Sequence, residues 1–186
     1  MFTHLRRAVL VSVVLFVLFG LAYPYAVTGI SQVFFKHQAD GSLTADGSTL
    51  IGQNWTGPTW FQGRPSATLD ANGKPQPYNP MASGASNLGP RSKAEEQAVA
   101  SNVAALQKEG IAPTNDLVTA SGSGLDPDIS PADAYAQVDA VANARDLPAD
   151  RVRRLVASHI HGAELGFLGS EYVDVLELNE ALSALR

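Results

Sequence analysis

Ser123 is the residue best suited to nucleophilic chemistry, because a glycine lies on each side of it. A serine nucleophile needs a base that takes its proton, and His159 and His161 are the candidates. Neither Ser123 nor Ser86 lies in the Gly-x-Ser-x-Gly turn of the α/β-hydrolases. A membrane-anchored or secreted serine hydrolase that uses Ser123 is therefore kept as the alternative hypothesis.

Two loops rich in serine and glycine, Met81–Ser92 and Gly122–Pro127, could in principle surround a phosphate group with backbone N–H groups. Neither has the spacing of a known phosphate loop. No glycine precedes a Gly-Lys-Ser or Gly-Lys-Thr at the required distance, and Pro127 stands where the last glycine of the dinucleotide pattern belongs. We interpret both loops as tight turns, and the residues themselves indicate no cofactor.

A metal centre is not predicted either. His159 and His161 would diverge on a helix, and no other histidine or cysteine completes a set of ligands with them. Asp126 and Asp128 lie near Asp133, but the spacing of a calcium-binding loop is missing.

Charge and cysteine content exclude further classes. The chain of 186 residues has 13 basic and 18 acidic side chains, so it lacks the basic surface that binding to nucleic acid requires. It has no cysteine, which excludes disulfides, thiolate metal sites and thiol nucleophiles.

The uncharged segment Ala8–Val27 is long enough to cross the hydrocarbon core of a bilayer as a helix and to contact membrane lipid. A cleaved signal peptide with a cleavage site at Gly20–Ala22 is the alternative, but the apolar run continues past that point. We predict a retained anchor, represented by Leu10, Val14, Leu18, Leu21, Tyr23 and Tyr25.

The charges beside this segment predict its orientation. His4, Arg6 and Arg7 precede the span, and Lys36 is the basic residue that follows it most closely. By the positive-inside rule, residues 1–7 lie in the cytoplasm, residues 8–27 cross the membrane, and residues 28–186 form an extracytoplasmic domain, in a periplasm or its equivalent. That domain has 11 basic and 18 acidic side chains, a formal charge of −7.

The predicted fold class is a single N-terminal transmembrane helix followed by one α+β extracytoplasmic domain. Residues 28–90 are rich in glycine and proline and should form loops and short strands, with strands at 48–51 and 59–62 and an exposed loop at 74–80. The aromatic residues of this part are expected to pack in the core or at a sheet edge; they are Trp55, Trp60, Phe61 and Tyr78.

Residues 91–186 should be rich in helix, with one late strand. Ser92 and Ser130 have the spacing of helix N-caps, because Glu95 and Asp133 each follow three residues later. The second of these helices should bury Tyr135, Val138, Val141 and Ala142. A third helix is predicted over about 148–161, a strand over 172–178, and a short final helix capped by Asn179.

Seven segments follow one another in a specific order and with specific separations: the N-terminal span that ends in Tyr23-Pro24, IGQNWTG (51–57), FQGRPSA (61–67), YNP (78–80), ASGASNLGP (82–90), DLVTASGSGLDPDIS (116–130) and VLELNEAL (175–182). On these segments the whole chain resembles the C subunit of the bacterial Kdp high-affinity potassium-transporting P-type ATPase, which implies that the span crosses a bacterial inner membrane and that the domain is periplasmic. At two places it departs from the usual family pattern, which has two adjacent glycines at Gly84-Ala85 and a Gly-x-Pro near Gly169.

This resemblance implies a complex in which one partner subunit conducts potassium and another hydrolyses ATP. The chain lacks the Asp-Lys-Thr-Gly-Thr of the hydrolysing subunit, so it is expected to be a non-catalytic accessory subunit that supports assembly and stability. By resemblance only, it would act as a catalytic chaperone that raises the ATP affinity of the hydrolysing subunit, and it could bind ATP itself. Direct binding conflicts with the predicted topology, because ATP is cytoplasmic.

We expect the external domain to pack over the mouth of the potassium-conducting subunit, and the anchor to pack laterally within the membrane. The loops rich in polar and small residues are the predicted contact surface. The candidate interface residues are Phe61, Arg64, Ser66, Tyr78, Ser83, Gly84, Ser86 and Asn87.

Overall fold

The computed structural model describes residues 2–185, which divide into two compact units. The first runs to Leu43 and the second begins at Thr44. An apolar N-terminal helix followed by a mixed domain agrees with the fold class that the sequence predicts, although most of that domain is helix and loop.

The first unit contains one long apolar helix. It consists of α1 (Phe2–Leu15), a π-helical segment (Phe16–Ala22) and α2 (Tyr23–Phe34), and the short α3 (Lys36–Ala39) follows it. Over Phe2–Phe34 this helix of 33 residues is long and apolar enough to cross a membrane, judged by length and composition. The predicted span 8–27 lies within it.

Pro24 explains the π-helical segment. Proline has no N–H to donate to the carbonyl of the residue four positions earlier, and its ring crowds that carbonyl. Immediately before Pro24, the Tyr23 N–H bonds to the Leu18 carbonyl, five residues back. The wider turn therefore accommodates the proline without ending the helix.

The second unit has five helices and one small sheet among its described residues. The two strands are antiparallel, with Asp128 opposite Asp174 and Ile129 opposite Val173. The elements in chain order are α4 (Lys93–Lys108), α5 (Asn115–Val118), β1 (Asp128–Ile129), α6 (Pro131–Ala144), α7 (Ala149–Ser158), β2 (Val173–Asp174) and α8 (Val175–Ala184).

The predicted starts of α4 and α6 are confirmed. Ser92 Oγ accepts a hydrogen bond from the Glu95 N–H at 3.2 Å. Ser130 Oγ accepts one from the Asp133 N–H at 3.2 Å, and the Asp133 carboxylate accepts the Ser130 N–H at 3.1 Å, which completes a capping box.

The core of this unit lies between α6, α7 and α8. These helices supply Val138, Val141, Val152, Val156, Leu178 and Leu182, all fully buried. The prediction that Tyr135 is buried is wrong in part, because 37% of it is exposed, whereas Gln137, two residues further along α6, is fully buried. The predicted packing of Trp55 and Trp60 is confirmed, because their rings lie 4.8 Å apart against the core.

Neither early strand that the sequence predicts is present. Residues 48–51 form a turn in which the Ile51 N–H bonds to the Ser48 carbonyl at 3.3 Å. Residues 59–62 have no neighbouring strand within residues 2–185. Side chains bond their backbone groups instead: the Asn179 amide pairs with Phe61 and the Gln137 amide with Gln62.

The late strand and final helix also differ from the prediction. Only Val173 and Asp174 are strand, because the Asp174 carboxylate caps the Glu177 N–H at 2.8 Å and starts α8. Asn179 is therefore buried within α8 and is not its cap. Helix α7 ends at Ser158, and His161 instead pairs with Tyr172 in an antiparallel bridge.

Candidate docking site

Arg64 is held by two carboxylates, one on α5 and one in the loop before β1. Its Nη1 lies 3.3 Å from Asp126 Oδ2 and its Nη2 lies 3.9 Å from Asp116 Oδ1. Its Nε is buried and has no hydrogen-bond partner among residues 2–185. One quarter of the side chain is exposed, so the guanidinium is fixed in place but still reaches the surface.

Tyr78 supports the backbone at Arg64. Its hydroxyl donates to the Arg64 carbonyl, and its N–H donates to Ser66 Oγ at 2.9 Å. Burial, assisted by the charge of Asp126, raises the pKa of Tyr78 to about 12. The phenol is therefore protonated at neutral pH and can donate this bond. The backbone at Tyr78 is left-handed (φ 57°), which turns the ring inward from an otherwise exposed loop.

Ser66 and Thr68 join three chain segments. Ser66 Oγ donates to the Gly124 carbonyl at 2.7 Å, and Thr68 Oγ1 donates to the Gln76 carbonyl at 2.6 Å. Thr68 Oγ1 also accepts the Asn79 N–H at 3.1 Å. These bonds hold the loops around Arg64 in one arrangement.

The loop Ser83–Asn87, which we call the docking loop, lies against the Ser123 backbone. The Gly84 N–H donates to the Ser123 carbonyl at 2.8 Å, and Ser83 Oγ donates to the same oxygen at 3.0 Å. Asn87 has a left-handed backbone (φ 53°), and its side chain is exposed. Several residues that the sequence predicts as an interface therefore lie in loops that bond to a common neighbour, Ser121–Asp126.

Phe61 is completely buried in the hydrophobic core, so its side chain does not reach the surface. Ser66, Tyr78, Gly84 and Ser86 are half-buried, whereas Ser83 and Asn87 are exposed. Beside Arg64 and Tyr78 is a cleft of about 280 Å³, which Trp55, Gln62, Asn102 and Leu117 also line.

Sequence reasoning missed Gln137 and Asn179, which position the segment before Arg64. The Gln137 side chain bonds both to the Gln62 N–H at 2.8 Å and to the Gln62 carbonyl at 3.0 Å. Asn179 makes the equivalent pair with Phe61, both bonds at 2.9 Å. An amide on the apolar face of a helix, one turn before Val141, was the available signal for Gln137.

Ser123 does not have the contacts of an activated nucleophile. Its Oγ accepts the Leu125 N–H at 3.1 Å, as in a serine turn. His159 Nδ1 lies 2.8 Å from the Leu155 carbonyl, and His161 Nε2 lies 3.3 Å from Glu177 Oε2. None of the hydrogen bonds of Ser123 within residues 2–185 involves a histidine.

A second cleft, of about 470 Å³, contains an acidic cluster of Asp128, Asp174 and Glu177 with His161. Burial, together with the charges of Asp174 and Asp126, raises the pKa of Asp128 to about 6. Burial also raises the pKa of Asp174. Among the described residues, no group of three or more His, Asp or Glu is arranged to hold a metal ion.

A long apolar N-terminal helix that precedes one separate mixed domain defines a class of proteins with a single candidate membrane anchor. The sequence profile of the family described as "KdpC: K+-transporting ATPase, c chain" matches residues 5–184. The chain belongs to this family, so it is a component of a potassium-transporting ATPase.

Curated relatives match this chain over nearly their full length. Each of the following is described as the potassium-transporting ATPase KdpC subunit. The protein of Sorangium cellulosum is 51% identical, with 100% of each chain covered. That of Methylobacterium nodulans is 48% identical over 100% of this chain and 98% of its own. That of Variovorax paradoxus is 50% identical over 97% and 95%.

Proposed function

We propose that this chain is a non-catalytic accessory subunit of an ATP-driven potassium import complex, and that it docks on the potassium-conducting subunit from outside the cell membrane. The observation that carries the proposal is the fixed surface formed by Arg64 and the docking loop. Rigid polar surfaces lose little conformational freedom when a partner binds. Because the chain belongs to a family of potassium-transporting ATPase components, the proposed partner is another subunit of that ATPase.

The interface is proposed to consist of Arg64, Ser83 and Asn87 at the surface, supported by Ser66, Tyr78, Gly84 and Ser86. Phe61 is proposed to contribute indirectly, because it is buried in the core three residues before Arg64 and its backbone is held by Asn179. Arg64 has both a fixed position and a partly exposed charge, which are properties of residues that dominate binding energy at interfaces.

Alanine substitution tests this surface. Arg64→Ala and Asn87→Ala are expected to reduce co-purification of the chain with the other subunits and to lower the apparent potassium affinity. Lys108→Ala and Asn143→Ala, which remove exposed side chains from α4 and α6, are the matched controls. Unchanged assembly and unchanged potassium affinity in both test variants would reject the proposed interface.

We further propose that residues 1–7 are cytoplasmic and the domain after the span is external. The support is the pair Arg6 and Arg7 before the helix. Because the chain has no cysteine, single cysteines report topology without background. Lys74→Cys should react with a membrane-impermeant maleimide in intact spheroplasts, and Thr3→Cys only after permeabilisation. The reverse pattern would overturn the orientation.

The family resemblance also implies that the chain raises the ATP affinity of the hydrolysing subunit. In the proposed orientation the external domain does not meet cytoplasmic ATP. We therefore propose that any such effect passes through the assembled complex. The ATP concentration for half-maximal hydrolysis should rise in complexes that contain Arg64→Ala, and photoaffinity ATP should label the hydrolysing subunit and not this chain.

A further inference from the structure

An exposed apolar hairpin, Ala163–Gly169, projects from the chain between α7 and β2. Two bonds of 2.9 Å close it, from the Glu164 N–H to the Leu168 carbonyl and from the Leu168 N–H to the Glu164 carbonyl. At its base His161 and Tyr172 exchange backbone hydrogen bonds of 2.8 and 3.1 Å, and their rings stack 4.9 Å apart. The hairpin is thus held in a defined shape at both its tip and its base.

The side chains at the tip have no cover in the described chain. Leu165 is 82% exposed, Phe167 is 73% exposed and Leu168 is 51% exposed. Single exposed apolar residues are common at protein surfaces, but contiguous ones indicate an interaction site.

Leu165 adds a second anomaly, because its backbone is left-handed (φ 53°). Residues other than glycine, asparagine and aspartate rarely adopt this conformation, since Cβ crowds the carbonyl oxygen. A leucine that is both strained and exposed gains nothing from contacts within residues 2–185. A contact outside this chain would offset both costs.

We infer that Leu165 and Phe167 insert into an apolar pocket with a basic rim on another subunit of the transport complex. The inference rests on the proposed function, because it needs a partner subunit on the same side of the membrane. A projecting tip with one aromatic anchor matches the way in which a few buried side chains supply most of the binding energy at protein interfaces.

Charge favours a protein pocket over an anionic bilayer surface. Glu164 and Glu171 are exposed on either side of the tip, and no lysine or arginine lies between them. An anionic membrane would repel this segment. A basic rim on a protein partner would attract it and would orient the tip.

Photo-crosslinking in native membranes identifies the occupant. With p-benzoylphenylalanine in place of Phe167, irradiation should join this chain to another chain of the potassium-transporting complex. The same group in place of Tyr135, on α6, should give no such product. Crosslinks to lipid alone, or no product above the Tyr135 control, would overturn the inference.

Substitution separates docking from stability. Leu165→Asn suits the left-handed backbone, so the purified chain should unfold at an equal or higher temperature, while its association with the complex weakens. Phe167→Ser should weaken association by about tenfold or more, and the control Tyr135→Ser should not. Equal association of Leu165→Asn, Phe167→Ser and the unaltered chain would reject the hairpin as a docking element.

The proposed function fails in a different way. If the unaltered chain did not associate with the other subunits at all, the accessory role itself would be wrong. If it did associate, and Arg64→Ala released it while the hairpin variants did not, the accessory role would stand and only the hairpin inference would fall.

Discussion

The side-chain amide of Asn179 closes both backbone hydrogen bonds of Phe61, across 118 positions of the chain. The amide takes the place of a neighbouring strand, because it offers one donor and one acceptor to an extended residue. All four polar groups in this pair are buried. Helix α8 therefore fixes the backbone two residues before Gly63-Arg64, where the candidate docking site begins.

Asn179→Ala should lower the free energy of unfolding by about 2–5 kcal/mol, because it leaves a buried N–H and a buried carbonyl without partners. Chemical denaturation of the purified chain measures the change. The exposed Asn143→Ala on α6 should shift the midpoint little. Equal shifts in the two variants would show that the pairing with Phe61 is not needed.

Gly124→Ala should separate the docking loop from its support. A Cβ at Gly124 would lie 2.7 Å from the Gly84 carbonyl oxygen and 2.5 Å from Thr68 Cγ2, and the backbone there is left-handed (φ 66°). We expect a loss of about 1–3 kcal/mol in stability and weaker association with the complex. Gly122→Ala is the control, because a Cβ there meets nothing within 4 Å. A neutral Gly124→Ala would contradict the close approach of the two loops.

Ser130→Ala should cost about 1 kcal/mol, since it removes the side-chain half of the capping box at the start of α6. Thermal unfolding of the purified chain is the measurement. Ser101→Ala replaces an exposed serine within α4 and should cause no loss. If both serines behaved alike, helix propensity and not capping would explain the effect.

The free energy of unfolding should decrease as the pH rises from about 4 to 6, because Asp128 loses its proton in this range. Its pKa is about 6 in the folded chain and 3.8 is its ordinary value, so the folded state binds the proton more tightly within this range. The stabilisation is present below pH 4 and is lost as the pH rises through 6. The groups that act on it are Asp174, Asp126, His161 and Glu177.

Unfolding of Asp128→Asn across this pH range checks the effect. The variant should lose part of the slope and be more stable than the unaltered chain above pH 6. Asp139→Asn removes an exposed carboxylate on α6 and should keep the original pH dependence. An unchanged slope in Asp128→Asn would assign the effect to other carboxylates.

Ser123→Ala should leave potassium import by the complex unaltered. Within residues 2–185, the hydrogen bond that the Ser123 hydroxyl makes is the one it accepts from the Leu125 N–H. Incubation of the purified chain with an organophosphonate, followed by mass spectrometry, tests the hydrolase alternative. Covalent labelling of the unaltered chain that Ser123→Ala abolishes would favour the enzyme.

Local signals in the sequence were sufficient for the helix starts at Ser92 and Ser130, since a cap depends on residues three positions apart. The long apolar helix at the N-terminus could equally be predicted, because length and apolar composition define it. The segment 172–178 was not, because its alternation of apolar residues also fits one face of a helix. Asp174, a favourable N-cap, was the overlooked residue that decides between the two.

The rest of the candidate site depended on contacts that no local pattern encodes. Phe61 and Gln62 have the composition of a strand, yet their partners are amides on α6 and α8. The loops around Arg64 could be recognised as related only through the family resemblance. The hairpin at Leu165 was missed, because nothing in the spacing of its residues indicates which apolar side chains stay exposed.

The π-helical segment ahead of Pro24 also divides the long apolar helix into two α-helical parts. Each residue of a π-helix advances around the axis by a smaller angle than in an α-helix, so Phe16–Ala22 shifts the phase of every side chain that follows. Side chains that line one face of Phe2–Leu15 at α-helical spacing would therefore continue on a different face of Tyr23–Phe34. A straight helix lying alongside both parts would therefore face one row of side chains on Phe2–Leu15 and a row of different phase on Tyr23–Phe34.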